Sequence, residues 1–241
     1  MYHGSHRFKY YHYLSHIGAS AAIIGLPVVV LFAAGFFVHA PWAIISSALG
    51  LSLWRLGASF CISLIIGAGL AIAVGASRVG ARFLPVFDVL QNIPSFALVP
   101  LFISAFGYTS TMIILFSATS IVWPIMFYAA SAILGAREEL SDAAKVFGAT
   151  GWKKIRYYLI PLSFPALVTG SIVGVSIGWE AVIGAEIIGN EHGIGSFLNS
   201  ASTQGDNKLF IIGIITLLLV VFVVNRLVWT PLLRSARRYS E

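Results

Sequence analysis

Long apolar runs follow one another along this chain with almost no charge inside them. That constrains the fold more than any other feature. Backbone N–H and C=O groups find no partner in hydrocarbon, so only helices and closed barrels cross a bilayer. A spanning helix needs about 20 apolar residues, and the runs 17–38, 53–76, 84–106, 111–134, 164–188 and 209–229 reach about that length. A barrel would show shorter, alternating segments. Only 10% of the residues are charged, where a soluble domain carries about 25%. The predicted class is all-α transmembrane, with about six spanning helices and both termini on one side. The first run follows a polar, aromatic N-terminus without a convincing cleavage pattern and reads as a retained span.

Charge placement orients the layout. Arg7, Lys9, Arg78, Arg82, Arg137, Lys145, Lys153, Lys154, Arg156, Arg234, Arg237 and Arg238 fall on one side of the predicted spans. Arg55, near the expected start of the second span, and Lys208 fall on the other. Cations stay on the cytoplasmic side, so both termini are expected there. The net charge of +6 therefore reflects topology, and no nucleic-acid partner is expected. The lone cysteine, Cys61, excludes an intrachain disulfide and reads as a small packing residue.

The third run, FDVLQNIPSFALVPLFISAFG, holds Asp88, Gln91, Asn92 and two internal prolines. Each proline removes a backbone donor, and lipid supplies no substitute. Such breaks are tolerated only against protein or a wet cavity, so this span belongs inside an assembly. It either lines a pathway or is a kinked structural helix.

Between the fourth and fifth runs lies DAAKVFGATGWKKIRYYLIP, 142–161. On a helical period Leu140, Ala143, Ala144 and Phe147 share a face. Gly148 and Gly151 interrupt it. Trp152, Ile155 and Leu159 begin a second apolar stripe flanked by Lys153, Lys154 and Arg156, and Pro161 and Pro165 close the cytoplasmic portion. Helix, turn and helix are expected. Such a segment suits anionic headgroups or the groove of a soluble partner, and the residues alone favour neither.

The pattern Asp142-Ala143-Ala144, Gly148, Ile160-Pro161 resembles the EAA loop of ABC importer permeases, which usually opens with Glu where this chain has Asp142. LGLSLWRLGASFCISLIIGAGLAIAVG, IPSFALVPLFISAFG and GWEAVIGAEIIGNEHGIGSFL are similar to the same family's core spans. The last of them resembles the nitrate, sulfonate, taurine and bicarbonate branch. The likeness covers roughly 49–232. It implies the type I (MetI-like) permease fold, with 1–48 as N-terminus and first span, 49–232 as permease core, a coupling loop at about 137–161, and a basic tail at 233–241.

The resemblance also implies partners: a second permease copy as homodimer, a cytoplasmic ATPase dimer, and an extracytoplasmic solute-binding protein. No Gly-Lys pair occurs in the sequence, so a phosphate-binding loop is excluded. No cofactor is expected on this chain, ATP and Mg belonging to the ATPase, and no catalytic residue is expected. Asp142, Ala143, Ala144, Gly148, Trp152 and Ile155 are the expected ATPase-coupling residues. Gln91, Asn92, Ser95, Trp179, Glu180 and Glu186 are the expected translocation-path residues. A carboxylate inside a span costs on the order of 2.5–3.5 kcal/mol, which singles out Glu180 as a selectivity candidate or a helix-packing group. Glu186 reads as a gate or loop anchor, and Gly193 and Gly195 as turn residues.

The expected solute is of the nitrate, sulfonate, taurine or bicarbonate kind. The alternative is a vitamin precursor, pyrimidine or riboflavin-like, stacked on Trp179, Phe96 or Phe102. His3, His6, His12 and His16 lack acidic or thiol companions and read as an interfacial belt with their tyrosines, so no metal is expected. A stand-alone channel or proton-coupled carrier would need several intramembrane ionisable groups. Only Glu180 and Asp88 present themselves.

Overall fold

The computed structural model describes residue 25 and residues 35–36, 39–76, 78–136, 142–144 and 146–237. The described residues are helical or irregular, without strands. The helices are α1 (Trp42–Gly75), α2 (Arg78–Ala81), α3 (Leu84–Gln91), a 3₁₀ turn (Ser95–Leu98), α4 (Val99–Phe106), α5 (Ser110–Leu134), α6 (Gly151–Gly189), α7 (Ile194–Thr203) and α8 (Asn207–Ala236). Four of them, α1, α5, α6 and α8, are long and apolar enough to span a membrane. The bent pair 84–91 and 95–106 makes a fifth if it counts as one span. The expected first span, 17–38, lies almost wholly outside the described residues, as do Leu140, Lys145 and the four N-terminal histidines.

Lipid tails give helices no hydrophobic reason to associate, so small residues and interhelical hydrogen bonds carry the packing. In α1, Ser59 Oγ donates to the Ile114 carbonyl at 3.0 Å and Ser63 Oγ to the Ala118 carbonyl at 2.9 Å. Gly67 continues the row: a β-carbon there would stand 3.0 Å from the Val122 carbonyl oxygen. Residues 59, 63 and 67 thus climb α5 against carbonyls 114, 118 and 122, one turn per step. On the other side of α5, Gly170, Gly174 and Gly178 of α6 repeat every fourth residue against Pro124, Ile121 and Ile125. The result is a tight sandwich centred on α5. Of its apolar window 61% is buried, against 17% for α8, which makes α5 the core and α8 the periphery.

A β-carbon on Gly174 would lie 3.1 Å from the Ile121 carbonyl oxygen, which is backbone and cannot swing away. Gly174→Leu is therefore expected to cost at least the 1–3 kcal/mol typical of overpacking. Size-exclusion chromatography of the detergent-extracted chain should show loss of the monodisperse peak.

Several expectations change in detail. The second run was expected to begin at 53, but α1 starts at Trp42 and carries Arg55 more than three turns inside it. Cys61, expected to pack internally, is exposed on the surface of the chain. In the third run the prolines open helices instead of kinking one: Pro85 and Pro100 sit in the first turns of α3 and α4, and Pro94 caps the 3₁₀ turn. A first-turn N–H has no intrahelical partner, so its loss there is cheap. The two limbs meet at 80°.

Pro161 and Pro165 do not end a helix, since α6 runs through both. A π turn over Ile155–Leu159 precedes Pro161, and another over Asn225–Trp229 precedes Pro231. The wider turn falls where each proline removes the i→i−4 bond. The helix α8 also continues to Ala236, past the expected start of a basic tail at 233.

Candidate functional site

Three features stand out. The first is a buried ion pair at the loop end of α6. Arg55 and Glu186 are 1% and 0% exposed and meet at 2.7 Å, although 131 residues separate them. Every polar group of the pair is occupied. Arg55 Nη1 also donates to the His192 carbonyl at 2.5 Å, and its Nε and Nη2 donate to Ser110 Oγ at 3.1 and 2.8 Å. Glu191 lies 3.4 Å away. Ser52 Oγ donates to Glu186 Oε1 at 2.7 Å.

The same groups cap α7. Its first N–H groups have no intrahelical acceptor. Ile194 N donates to Ser52 Oγ at 2.9 Å, and Gly195 N to Glu186 Oε2 at 2.9 Å. The carboxylate also lies at the positive end of the helix dipole. A β-carbon on Gly193 would fall on the Glu186 carboxylate, and one on Gly195 would stand 2.5 Å from the Ile183 carbonyl oxygen. These glycines permit close approach to the clamp. One polar knot therefore ties α1, α5, α6 and α7 together.

The second feature is a cavity of about 420 Å³ beside this knot, lined by Ser47, Leu51, His192, Ser196 and Phe197 among others. A further cavity, of about 330 Å³, opens at the broken third run. Gln91 and Ser95 line it with Thr119, Ser120 and Trp123 of α5 and Ile177 of α6. Of the expected path residues, then, the structure brings Gln91 and Ser95 together. Asn92 serves the break itself: its side-chain nitrogen donates to the Asp88 carbonyl at 2.6 Å, and Gln91 Nε2 donates to Asp88 Oδ1 at 2.7 Å. Glu180 is exposed on α6, three residues beyond Ile177. Trp179 is 7% exposed and belongs to the hydrophobic core. Phe96 and Phe102 both pack on Phe116, at 5.8 Å between ring centroids.

Sequence reasoning missed Arg55 as a partner for Glu186, and Ser120 and Trp123 as cavity walls. An arginine well inside an apolar helix was the available signal, because such a charge needs a counter-charge.

The third feature is the elbow ahead of α6. Residues 142–144 and 146 are helical, and the chain turns at Gly148 (φ +75°) and Gly151 (φ +52°). Asp142, Ala143, Gly148 and Trp152 are exposed, while Ala144 and Ile155 are half-buried. Phe147 is 88% and Trp152 68% exposed. Large apolar side chains bared around a fixed turn mark a contact surface.

A family model described as "Binding-protein-dependent transport system inner membrane component" matches residues 63–228. The nitrate import permease protein NrtB of Leptolyngbya laminosa is 28% identical over 178 residues, which cover 73% of this chain and 64% of that protein. The taurine transport system permease protein TauC of Escherichia coli strain K12 is 25% identical over 178 residues, covering 73% and 65%. The riboflavin transport system permease protein RibX of Chloroflexus aurantiacus is 30% identical over 140 residues, covering 58% and 52%. The matched stretch thus spans less than two thirds of each of these relatives. A chain of the MetNI methionine ABC transporter, solved in inward-facing conformations, superposes with a TM-score of 0.71 at 16% identity. The match covers 81% of this chain and 97% of that one. At that identity the likeness is one of fold.

Proposed function

This chain belongs to the binding-protein-dependent transport system inner membrane component family, and from that premise we propose that it is the membrane-spanning permease subunit of an ATP-driven importer. Two copies form the solute path between them, with both termini cytoplasmic. An extracytoplasmic binding protein delivers the solute, and a separate ATPase grips the elbow at 142–155. The apolar surface bared at Phe147 and Trp152 around the Gly148 turn carries this reading. Asp142, Ala143, Ala144 and Ile155 complete the contact, the alanines allowing close approach. ATP binding favours one orientation of the spans and hydrolysis the other. The ATPase drives the change by its different contacts in the two states.

The solute is small and polar. Relatives are named for nitrate and taurine, which supports a solute of the nitrate, sulfonate, taurine or bicarbonate kind. A riboflavin permease is also among them. The cavity at the broken run, which offers no cation, favours this second reading of an uncharged vitamin precursor.

Affinity purification of the chain from its own membranes is expected to bring down an ATPase subunit in near-equal amount. Phe147→Asp combined with Trp152→Asp should lose that subunit while membrane insertion persists. Full retention of the ATPase by the double variant would contradict the docking role.

A further inference from the structure

The cavity at the broken third run contains an unmet hydrogen-bonding demand. Ser120 is 7% exposed, lines the cavity, and its Oγ has no partner among the described residues. Serines in the spans usually turn back to the carbonyl one turn earlier, as Ser59 and Ser63 do. For Ser120 that carbonyl belongs to Phe116, which already accepts from Thr119 Oγ1 at 2.6 Å. Four residues on stands Pro124, which also lines the cavity. Having no N–H, it leaves the Ser120 carbonyl without its helical donor. Ser120 thus brings an unpaired hydroxyl to the cavity wall, and its carbonyl lacks its helical donor. A buried polar group is normally satisfied by protein, water or ligand, so this wall suits a ligand that can donate and accept in place of water.

Charge and size narrow that ligand. No residue lining the cavity is charged. The segments that build it, 84–106, 110–134 and 160–189, contain no Lys, Arg or His. Their carboxylates are Glu186, engaged by Arg55, together with Asp88, bonded to Gln91, and exposed Glu180. An anion in this half-open groove would find no counter-charge in its lining and two acids on the segments that build it, and a charge held partly out of water needs pairing. The groove, about 330 Å³ and open on one side, has room for a ring-sized solute. Trp123, tilted against Phe87 at 6.4 Å, supplies an aromatic wall.

We infer that the cavity bounded by Gln91, Ser95, Ser120 and Trp123 is a solute subsite that takes an uncharged, ring-sized, hydrogen-bonding solute and rejects small oxyanions. This rests on the permease reading above and names its substrate class.

The test uses the full chain with its ATPase in membrane vesicles. Cys61→Ser removes the native thiol, and Ser120→Cys places one in the cavity. The probes are neutral methyl methanethiosulfonate, its trimethylammonioethyl cation and its sulfonatoethyl anion. The neutral reagent is expected to outpace the sulfonate by about tenfold, relative to their ratio toward a free thiol in water. That is the discrimination one charge about 10 Å away gives at an effective dielectric of about 20. Riboflavin or uracil at millimolar concentration should slow the reaction, and nitrate and bicarbonate should not. Ser95→Cys, on the opposite wall, repeats the measurement should Ser120→Cys fold poorly. Equal rates for the anion, protection by nitrate or bicarbonate, or no protection by either ring would each overturn the inference. ATPase co-purification, read in the same vesicles, separates that failure from failure of the permease reading.

Discussion

Glu186→Gln is expected to lower stability by about 3–5 kcal/mol, the usual result of stripping one partner from a buried ion pair. Glutamine keeps the shape, so no cavity forms, but it leaves the Arg55 guanidinium, 1% exposed, facing a neutral group. For a chain of this size the midpoint of thermal unfolding should drop by roughly 10 °C. The loss should extend beyond the pair. Glu186 Oε2 caps the α7 N–H of Gly195, and Arg55 holds Ser110 and the His192 carbonyl. Arg55→Lys should fare nearly as badly, because an ammonium cannot reproduce the planar fork that reaches Glu186, Ser110, Glu191 and the His192 carbonyl. In a double-mutant cycle, Arg55→Met with Glu186→Gln should cost less than the two single changes summed, by about 1–3 kcal/mol. Heating the detergent-solubilised chain and following its monodisperse fraction reads all three. An unchanged midpoint for Glu186→Gln would remove the knot from the account.

The second large effect falls on function and spares the fold. Gly148→Val should abolish most solute-dependent ATP hydrolysis, leaving the unfolding midpoint within about 2 °C of the parent, since surface changes stay near ±0.5 kcal/mol. A β-carbon at Gly148 meets nothing within 4 Å, so sterics with neighbours cannot be the cause. The cause is backbone: φ is +75° there, a region that β-branched residues avoid and asparagine tolerates. Gly148→Asn should therefore recover much of the activity that Gly148→Val loses. Equal activity in both variants would show that the turn is not what the proposed ATPase reads.

The spans were legible because hydrocarbon imposes a length and a composition that survive in one dimension. The broken third run was legible too, since three prolines and an Asp-Gln-Asn cluster cannot form one smooth lipid-facing helix. What spacing conceals is rotation. Glu180 and Glu186 lie six residues apart on one helix, and the sequence marked the first as the sharper oddity. In the fold, Glu180 faces outward, and Glu186 is the one sealed inside against Arg55. Trp179 looked available for a ring solute, yet its side of α6 faces the core. The role of Ser120 depends on which carbonyls Thr119 and Pro124 leave free, a detail of neighbours on the same turn. The π turns ahead of Pro161 and Pro231 are similarly local, and they let α6 and α8 run through both prolines.

The chain is proposed to form a path while drawing its energy from another subunit through the elbow. The direct test is solute accumulation in sealed lipid vesicles holding the purified chain alone, or with its co-purified ATPase and binding protein. ATP should drive uptake against a gradient only in the complete assembly and not with Gly148→Val in it. Uphill uptake by the chain alone, with no ATPase present, would contradict the account.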